Sequence, residues 1–304
     1  MLRVHLLDDP APEFSAALRD HLDGVAEVGE GPVPPGETEI LVAGRPTAEM
    51  LDEPSLRVVV IPFAGVPEAT AELVSSRPRL KLYNLHHNSA PTAEMALALL
   101  LAAVRFLVPA DRELRQGRWM GREGEDRQYV LDGKAACILG YGAIGKRIGV
   151  ALEAMGMAVR GIGRHNLNEL DEALSASHAL VAAAPLTAET RGLIDARRLA
   201  LLRDPRMVVN VGRGAVIDEE ALYEGCRSGE IAVAGIDVWY QYPGEEPVFP
   251  SRFPFEELDN VVMSPHRGGA GDVAEERRAQ ALANLVRAIA SGNPPPAVDP
   301  ALGY

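Results

Sequence analysis

The chain has 304 residues, of which 24% are charged and 47% hydrophobic, and its formal net charge is −13 at pH 7. This length suits two α/β domains of ordinary size, each with its own core. The negative charge opposes binding to nucleic acid and to acidic membranes, so a small molecule is the expected partner. Cys137 and Cys226 are the only cysteines, which predicts reduced thiols and a cytoplasmic location.

The first 90 residues are predicted to form a small parallel sheet. Residues 1–9 lack the apolar core and cleavage site of a signal peptide and are typical of a buried first strand that ends in acids. Short apolar runs then alternate with helix-like or turn-rich segments. These runs cover residues 4–7, 40–42, 58–61 and 80–83.

A long helix is predicted to follow this sheet. It begins near Ser89, with Pro91 in the first turn and Glu94 near the positive end of the helix dipole, and runs to about Phe106. Its apolar stretch, residues 95–104, is far shorter than the roughly 20 residues of a membrane span. We interpret it as a buried helix between domains and expect no membrane association.

A second α/β series predicts six strands, which fit a doubly wound sheet. They cover residues 135–139, 158–162, 179–183, 207–210, 231–237 and 261–264. The apolar-periodic segment 273–289 follows this sheet and is expected to return to the first domain. The predicted substrate domain therefore comprises residues 1–89 and 265–304, and the dinucleotide-binding domain between them comprises residues 90–264.

The motif Gly140-Tyr-Gly-Ala-Ile-Gly145 indicates dinucleotide binding, because it lies between a predicted strand and a helix-patterned stretch. The first glycine permits a tight turn, the second lets the backbone approach a pyrophosphate, and the third brings the helix close to the sheet. The dipole of the following helix favours the anion. The motif thus predicts a nicotinamide coenzyme site.

The end of the next predicted strand favours NADP over NAD. An Asp or Glu about 20 residues past the glycines would hold the adenosine ribose of NAD. This chain has Gly163-Arg164-His165 there, which leaves room for a 2′-phosphate and offers Arg164 as its cationic partner. An ordinary solvated loop arginine is an open alternative for Arg164.

Two side chains that could act on a substrate follow predicted strands. Arg213, between two glycines, could bind a carboxylate through its two-pronged guanidinium, and His266 could exchange a proton at neutral pH. Hydride transfer to a carbonyl creates an alkoxide that needs a proton. A coenzyme, an arginine and a histidine at one edge of a sheet therefore form a coherent set, although a loop arginine and a structural histidine remain alternatives.

Several motifs, in this order along the chain, resemble those of the D-isomer-specific 2-hydroxyacid dehydrogenases, and the resemblance runs from about residue 40 to 290. It rests on the segments Gly133–Gly145, Ala184–Ile194, Gly212–Gly214, Ala234–Val238 and Ser264–His266. The resemblance implies an α/β protein in which a flavodoxin-like substrate domain is interrupted by a Rossmann domain, and a homodimer. It also implies transfer of a hydride, without a metal, between NADP or NAD and a small 2-keto acid.

The resemblance assigns roles to individual residues. Arg213 would hold the substrate carboxylate and carbonyl, His266 would be the acid/base, and Asp237 would lie near the nicotinamide. The coenzyme-binding set is then Gly140, Tyr141, Gly142, Ala143, Ile144, Gly145, Gly163, Arg164, His165, Ala184, Pro185, Thr190, Val211, Gly212, Asp237 and His266.

In the first domain, the resemblance implies that the backbone amides of Ala64, Gly65 and Val66 hold the substrate carboxylate; plain loop geometry is the alternative. A nearby segment is expected to face the substrate, although a structural role is equally open for its polar residues. These residues are Asn84, His86 and His87.

One position departs from the family pattern. Members of the family usually carry a Glu about five residues after the Asp that corresponds to Asp237, where it favours the charged form of the catalytic histidine. Here Tyr242 occupies that position and Gln241 precedes it; formate dehydrogenases of the same superfamily use a Gln–His pair. Unless Glu245 or Glu246 folds back, the histidine should protonate less readily, so we expect an acid-shifted profile for carbonyl reduction, or weak activity.

Three functions remain open at this point. The first is an NADP- or NAD-dependent reductase of a small 2-keto acid such as glyoxylate or hydroxypyruvate. The second is a nucleotide-sensing protein with little turnover, as in corepressors that resemble this family. The third is oxidation of formate or phosphite, which only the missing Glu suggests.

Overall fold

The computed structural model describes residues 1–7, 10–34, 36–119, 128–242 and 249–300. The chain forms two compact units, one of Met1–Asn88 with Ala270–Tyr304 and one of Ser89–Gly269. We predicted the second boundary after residue 264, and it falls five residues later. The turn after the last strand stays with the second unit because Asp237 accepts hydrogen bonds from the backbone of Arg267 and Gly268.

The first unit contains a five-stranded sheet in which every strand pair is parallel. Its strands are β1 (Leu2–Leu6), β2 (Ala26–Glu30), β3 (Ile40–Val42), β4 (Val58–Ile61) and β5 (Lys81–Asn84), and its helices are α1 (Pro12–His21), α2 (Ala48–Leu51), α3 (Glu68–Ser75) and α10 (Ala274–Ala290). The strand order β2-β1-β3-β4-β5 is the flavodoxin-like order that the resemblance implied. Strand β2 was not predicted, because this edge strand has no apolar run.

The C-terminal helix α10 packs on α1 in the first unit. Leu282 and Val286 of α10 are fully buried together with Phe14 and Leu18 of α1. The prediction that the last apolar-periodic segment returns to the first domain is therefore confirmed.

The second unit contains a six-stranded parallel sheet. Its strands are β6 (Ala135–Leu139), β7 (Ala158–Ile162), β8 (Ala179–Ala182), β9 (Arg206–Asn210), β10 (Ile231–Ile236) and β11 (Val261–Met263), and its helices are α4 (Ser89–Val104), α5 (Leu107–Arg115), α6 (Ala143–Ala154), α7 (Leu170–Ser175), α8 (Ala196–Ala200) and α9 (Glu219–Ser228). All six predicted strands are present, and their ends agree within one residue.

The order of this sheet, β7-β6-β8-β9-β10-β11, places β7 at an edge. In the most familiar dinucleotide-binding order another strand lies beyond the second one. Here a short 3-10 helix, Arg164–Glu169, and α7 lead directly from β7 to β8. Strand order reverses between β6 and β8, which is where an open α/β sheet binds its ligand.

Helix α4 is a core helix of the second unit. It packs on α6, β9 and β10 and buries Ala96, Leu99 and Ala103. It ends before Phe106, whose φ of 49° is left-handed, so the predicted end was two residues too far. In the described part of the chain no single helix is long and apolar enough to cross a membrane; α4 and α5, bent by 66°, pass that test only as a pair.

Candidate active site

The glycine turn between β6 and α6 has the geometry of an anion-binding turn. Gly140 has a φ of 93°, and a Cβ there would lie 2.5 Å from the backbone N of Ala184. Gly142 is the N-cap of α6, and no side chain caps this end of the helix. A Cβ at Gly142 would meet nothing within 4 Å. The turn and the first N–H groups of α6 therefore fit a pyrophosphate.

Tyr141, the residue between the first two glycines, has its ring against the protein interior. A Cβ at Gly161 of β7 would collide with this ring, and a Cβ at Gly149 of α6 would lie 2.9 Å from its hydroxyl. A Cβ at Gly145 would collide with the carbonyl oxygen of Gly140, so this glycine lets α6 pack closely on the turn. Because its ring packs on Gly149 and Gly161, Tyr141 is suited to contact a coenzyme through its backbone. Ala143 and Ile144 are the first two residues of α6.

The turn after β7 carries no acid. Gly163, Arg164 and His165 follow the strand, and the last two side chains are exposed. Asn166 shapes the turn, because its Oδ1 accepts a hydrogen bond of 2.8 Å from the Gly163 N–H and its Nδ2 donates to the Gly161 carbonyl at 3.2 Å. The sequence reasoning missed Asn166, whose side chain occupies the turn where an NAD-binding protein has its acid.

Residues after β8 and β9 complete the glycine turn. The backbone of Ala184 also lies against Gly212, where a Cβ would be 2.5 Å from the Ala184 carbonyl oxygen. Thr190 builds the adjoining turn, because its hydroxyl donates to Pro185 O at 2.6 Å. Val211 is buried. These five predicted coenzyme residues lie at the carboxyl ends of neighbouring strands, and the Thr190 hydroxyl is already engaged.

Arg213 is held in its turn by the buried side chain of Asn210. The Asn210 amide accepts from Gly212 N at 3.2 Å and donates to Arg213 O at 3.1 Å. The guanidinium donates to Gly212 O at 2.7 Å, and no carboxylate in the described part of the chain pairs with it. Burial lowers the pKa of Arg213, which Tyr242 partly opposes. A largely desolvated cation without an acid favours an anionic ligand.

His266 lies in a turn that the buried Asp237 fixes. The Asp237 carboxylate accepts from Arg267 N and Gly268 N, both at 2.9 Å, and the Asp237 carbonyl accepts from His266 N at 2.8 Å. These bonds hold His266 at a φ of 55°, a backbone conformation that is uncommon outside glycine. Asp237 therefore positions the imidazole through the backbone.

The imidazole of His266 lies beside the ring of Tyr242, with ring centroids 5.3 Å apart and planes tilted by 50°. Burial and the positive charge of Arg213 lower the pKa of His266, and Asp237 partly opposes them. The neutral form therefore dominates at pH 7. Arg213, Tyr242 and His266 thus lie together. For Arg213 and His266 the sequence predicts this, because each of them follows a strand.

Tyr242, rather than Gln241, is next to the histidine. The Tyr242 hydroxyl accepts from Trp239 N at 3.3 Å, whereas Gln241 is exposed and its backbone N–H donates to Pro250 O at 3.0 Å. Glu245 and Glu246, the acids that could have folded back, lie outside the described residues. Tyr242, the residue five positions after Asp237, is thus also the one whose ring lies beside His266.

A buried carboxylate anchors the far side of this loop. Glu219, the first residue of α9, accepts from Ser251 Oγ at 2.9 Å and from the backbone N and Nε of Arg252 at 2.9 and 2.7 Å. Burial alone would raise the pKa of Glu219, but these donors lower it. The sequence reasoning missed this residue, because its partners follow it by more than 30 positions.

In the first unit, residues 64–66 form the turn between β4 and α3 and are half-buried. The side-chain amide of Asn84, at the end of β5, donates to Ala64 O and so fixes the turn. Burial, together with the charges of Arg278 and His86, lowers the pKa of His87 to about 4. His87 is therefore neutral at pH 7.

The family model described as D-isomer specific 2-hydroxyacid dehydrogenase, NAD binding domain, matches residues 97–268. A glyoxylate reductase of Aeropyrum pernix is 34% identical over 276 residues, which cover 84% of this chain and 80% of that protein. A glyoxylate reductase of Thermococcus onnurineus is 36% identical over 222 residues, or 67% of this chain; the match spans only 64% of that relative's length.

A solved structure with the same fold is that of a D-isomer specific 2-hydroxyacid dehydrogenase from Xanthobacter autotrophicus Py2, in complex with NADPH and MES. It is 28% identical, with a TM-score of 0.80 over 99% of this chain and 100% of that one.

Replacement of Asp237 by Ala should lower the free energy of unfolding, because it leaves two backbone N–H groups without acceptors. Each such loss costs about 1–3 kcal/mol when the group is buried. Urea denaturation followed by fluorescence measures the change. Asp259→Ala is the matched control, since its carboxylate lies at the surface beside Arg112 and its loss should change stability by about 0.5 kcal/mol or less. Equal effects of the two substitutions would contradict the anchoring role.

Proposed function

Because the chain belongs to the D-isomer-specific 2-hydroxyacid dehydrogenase family, we propose that it transfers a hydride between NAD(P)H and a small 2-keto acid of the glyoxylate or hydroxypyruvate type. The observation that carries this proposal is the grouping of Arg213 and His266 around Tyr242, at the carboxyl ends of β9 and β11. The glycine turn lies at the same edge of that sheet. The names of the two glyoxylate reductases also support a 2-keto acid.

The coenzyme supplies the hydride when it is bound. Gly140, Gly142 and the first turn of α6 are proposed to bind its pyrophosphate through backbone N–H groups. Arg213 would bind the substrate carboxylate and orient the carbonyl carbon, because its guanidinium has no acid of the described chain as partner. His266 would donate a proton to the carbonyl oxygen during reduction and accept it during oxidation.

In the first unit, the backbone amides of Ala64, Gly65 and Val66 are proposed to bind the substrate carboxylate. The hydrogen bond from Asn84 to Ala64 O supports this role, because it holds the turn in one conformation.

A screen of 2-keto acids with NADPH and NADH tests the proposed function. The wild-type protein should reduce at least one of them, and His266→Ala should lower kcat by about 100- to 10,000-fold, the usual range for a lost general acid. Arg213→Ala should lower kcat/KM for the same acid. Arg227→Ala, an exposed arginine that pairs with Glu224 in α9, is the control and should leave both constants unchanged.

A coenzyme sensor with little turnover is the second candidate, and the uncharged Tyr242 beside His266 is what favours it. The same screen separates the two functions. Tight coenzyme binding measured by calorimetry, with no keto acid reduced, would support the sensor and contradict the reductase. Turnover that depends on both Arg213 and His266 would exclude the sensor.

We infer a preference for NADPH from the turn after β7. Arg164 and His165 are exposed there, and residues 163–166 of the turn include no acid that would repel a 2′-phosphate. The NADPH complex of the Xanthobacter autotrophicus protein is consistent with this choice. Arg164→Ala should raise the KM for NADPH by about tenfold, the equivalent of one charge-assisted hydrogen bond, and leave the KM for NADH nearly unchanged. Equal changes in the two KM values would show that Arg164 does not bind the phosphate.

A homodimer is proposed from the apolar surface of the second unit. Helices α4 and α5 and the segment after them expose several large apolar side chains, and exposed apolar surface is typical of protein–protein contacts. They are Leu101, Leu107, Val108, Leu114 and Trp119. Sedimentation equilibrium at micromolar concentration should give twice the chain mass of 32.5 kDa. A mass of one chain at that concentration would contradict the dimer.

A further inference from the structure

We propose that Tyr242 is a positioning residue for His266: its ring packs beside the imidazole and fixes its orientation, in the place of a charged partner. The inference rests on the proposed function for its kinetic consequences. Its structural basis is independent of that function, because it comes from contacts among residues of the second unit alone.

The side chains of Tyr242 and His266 form an aromatic pair. The centroids of Tyr242 and His266 are 5.3 Å apart and their planes are tilted by 50°, a separation within the range of favourable aromatic pairs. The histidine has an unusual backbone, with a φ of 55°, and is at the exposed edge of the sheet. A neighbouring ring is therefore what limits rotation of the imidazole on this side.

Trp239 ties the two segments to each other. Its backbone N–H donates to the Tyr242 hydroxyl at 3.3 Å, and its indole Nε1 donates to Ser264 O at 2.8 Å, two residues before His266. Trp239 is itself buried, with 5% of its surface exposed. The backbone of Trp239 thus holds the phenol and its side chain holds the segment that leads to His266, so one buried residue links both members of the ring pair.

The charges around His266 explain why a neutral partner changes its titration. Arg213 disfavours the imidazolium and Asp237 favours it, and Arg267 is the adjacent charged residue in the chain. Tyr242 supplies a ring contact, and a phenol lacks the negative charge of an ionised carboxylate. A carboxylate in the same position would favour the imidazolium. The geometry of the histidine and its protonation are therefore controlled by different residues.

The two directions of the reaction depend on opposite protonation states of His266. Reduction needs protonated His266, so a pKa below the ordinary value moves the upper pH limit of reduction to lower pH. Oxidation of the hydroxy acid needs the neutral imidazole, so its lower pH limit moves in the same direction. Reduction should consequently lose activity as the pH rises through a pKa of His266 that lies below the ordinary value of 6.5.

Three substitutions at Tyr242 separate contact from charge. Tyr242→Phe keeps the ring but removes the hydroxyl that accepts from Trp239 N, so it should keep the pH profile of reduction and lower kcat less than Tyr242→Ala. Tyr242→Ala removes the ring and should lower kcat by about tenfold or more through misplacement of the imidazole. Tyr242→Glu adds a carboxylate and should raise the apparent pKa of reduction by about one unit or more. Phe249→Ala, an exposed aromatic in the same loop, should change neither.

An NMR titration of the His266 imidazole, assigned with His266→Ala, gives a readout that needs no turnover. The pKa should lie below 6.5 in the wild-type protein and rise in Tyr242→Glu. If Tyr242→Ala has wild-type kcat and Tyr242→Glu leaves the imidazole pKa unchanged, the inference is wrong even in an active enzyme. If no keto acid is reduced but the pKa moves as expected, the proposed function fails and the positioning role stands.

Discussion

The close passage of one backbone segment between two glycines determines the arrangement of the site. Ala184, two residues after β8, lies so near Gly140 and Gly212 that a Cβ at either glycine would come within 2.5 Å of its backbone. The turn that suits a pyrophosphate and the turn that carries Arg213 are therefore both packed on the same peptide. A displacement of this segment would disturb the coenzyme site and the cation together, since packed interiors leave little room for independent shifts.

A second set of buried hydrogen bonds positions the histidine from the neighbouring strand. Asp237 and Trp239 both follow β10, and they hold the turn after β11 through the backbone of Arg267, Gly268 and Ser264. Charged and polar side chains here act mainly on main-chain groups, which are fixed by the sheet. The reactive side chains are thus supported by rigid elements rather than by one another, and this support is what a precise site requires.

The sequence predicted the six strands of the second unit closely, because buried parallel strands are continuous apolar runs between turn residues. It did not predict β2, an edge strand that has two glutamates and a glycine among its five residues and none of them buried. It also did not show that the Tyr141 ring lies on Gly161, or that the Asp237 carboxylate binds backbone amides about 30 residues away. Such contacts depend on which surfaces meet in three dimensions, and no local pattern encodes them.

The electrostatics of the site also connect substrate and proton. Arg213 lowers the pKa of His266 while it has no acid of the described chain as partner. An anion bound to the guanidinium would offset that repulsion, because opposite charges nearby favour the charged imidazole. In the proposed reductase, the bound keto acid would supply the negative charge that favours protonation, since the ring beside His266 is that of Tyr242. This coupling would match the protonated state to the moment at which a keto acid is bound.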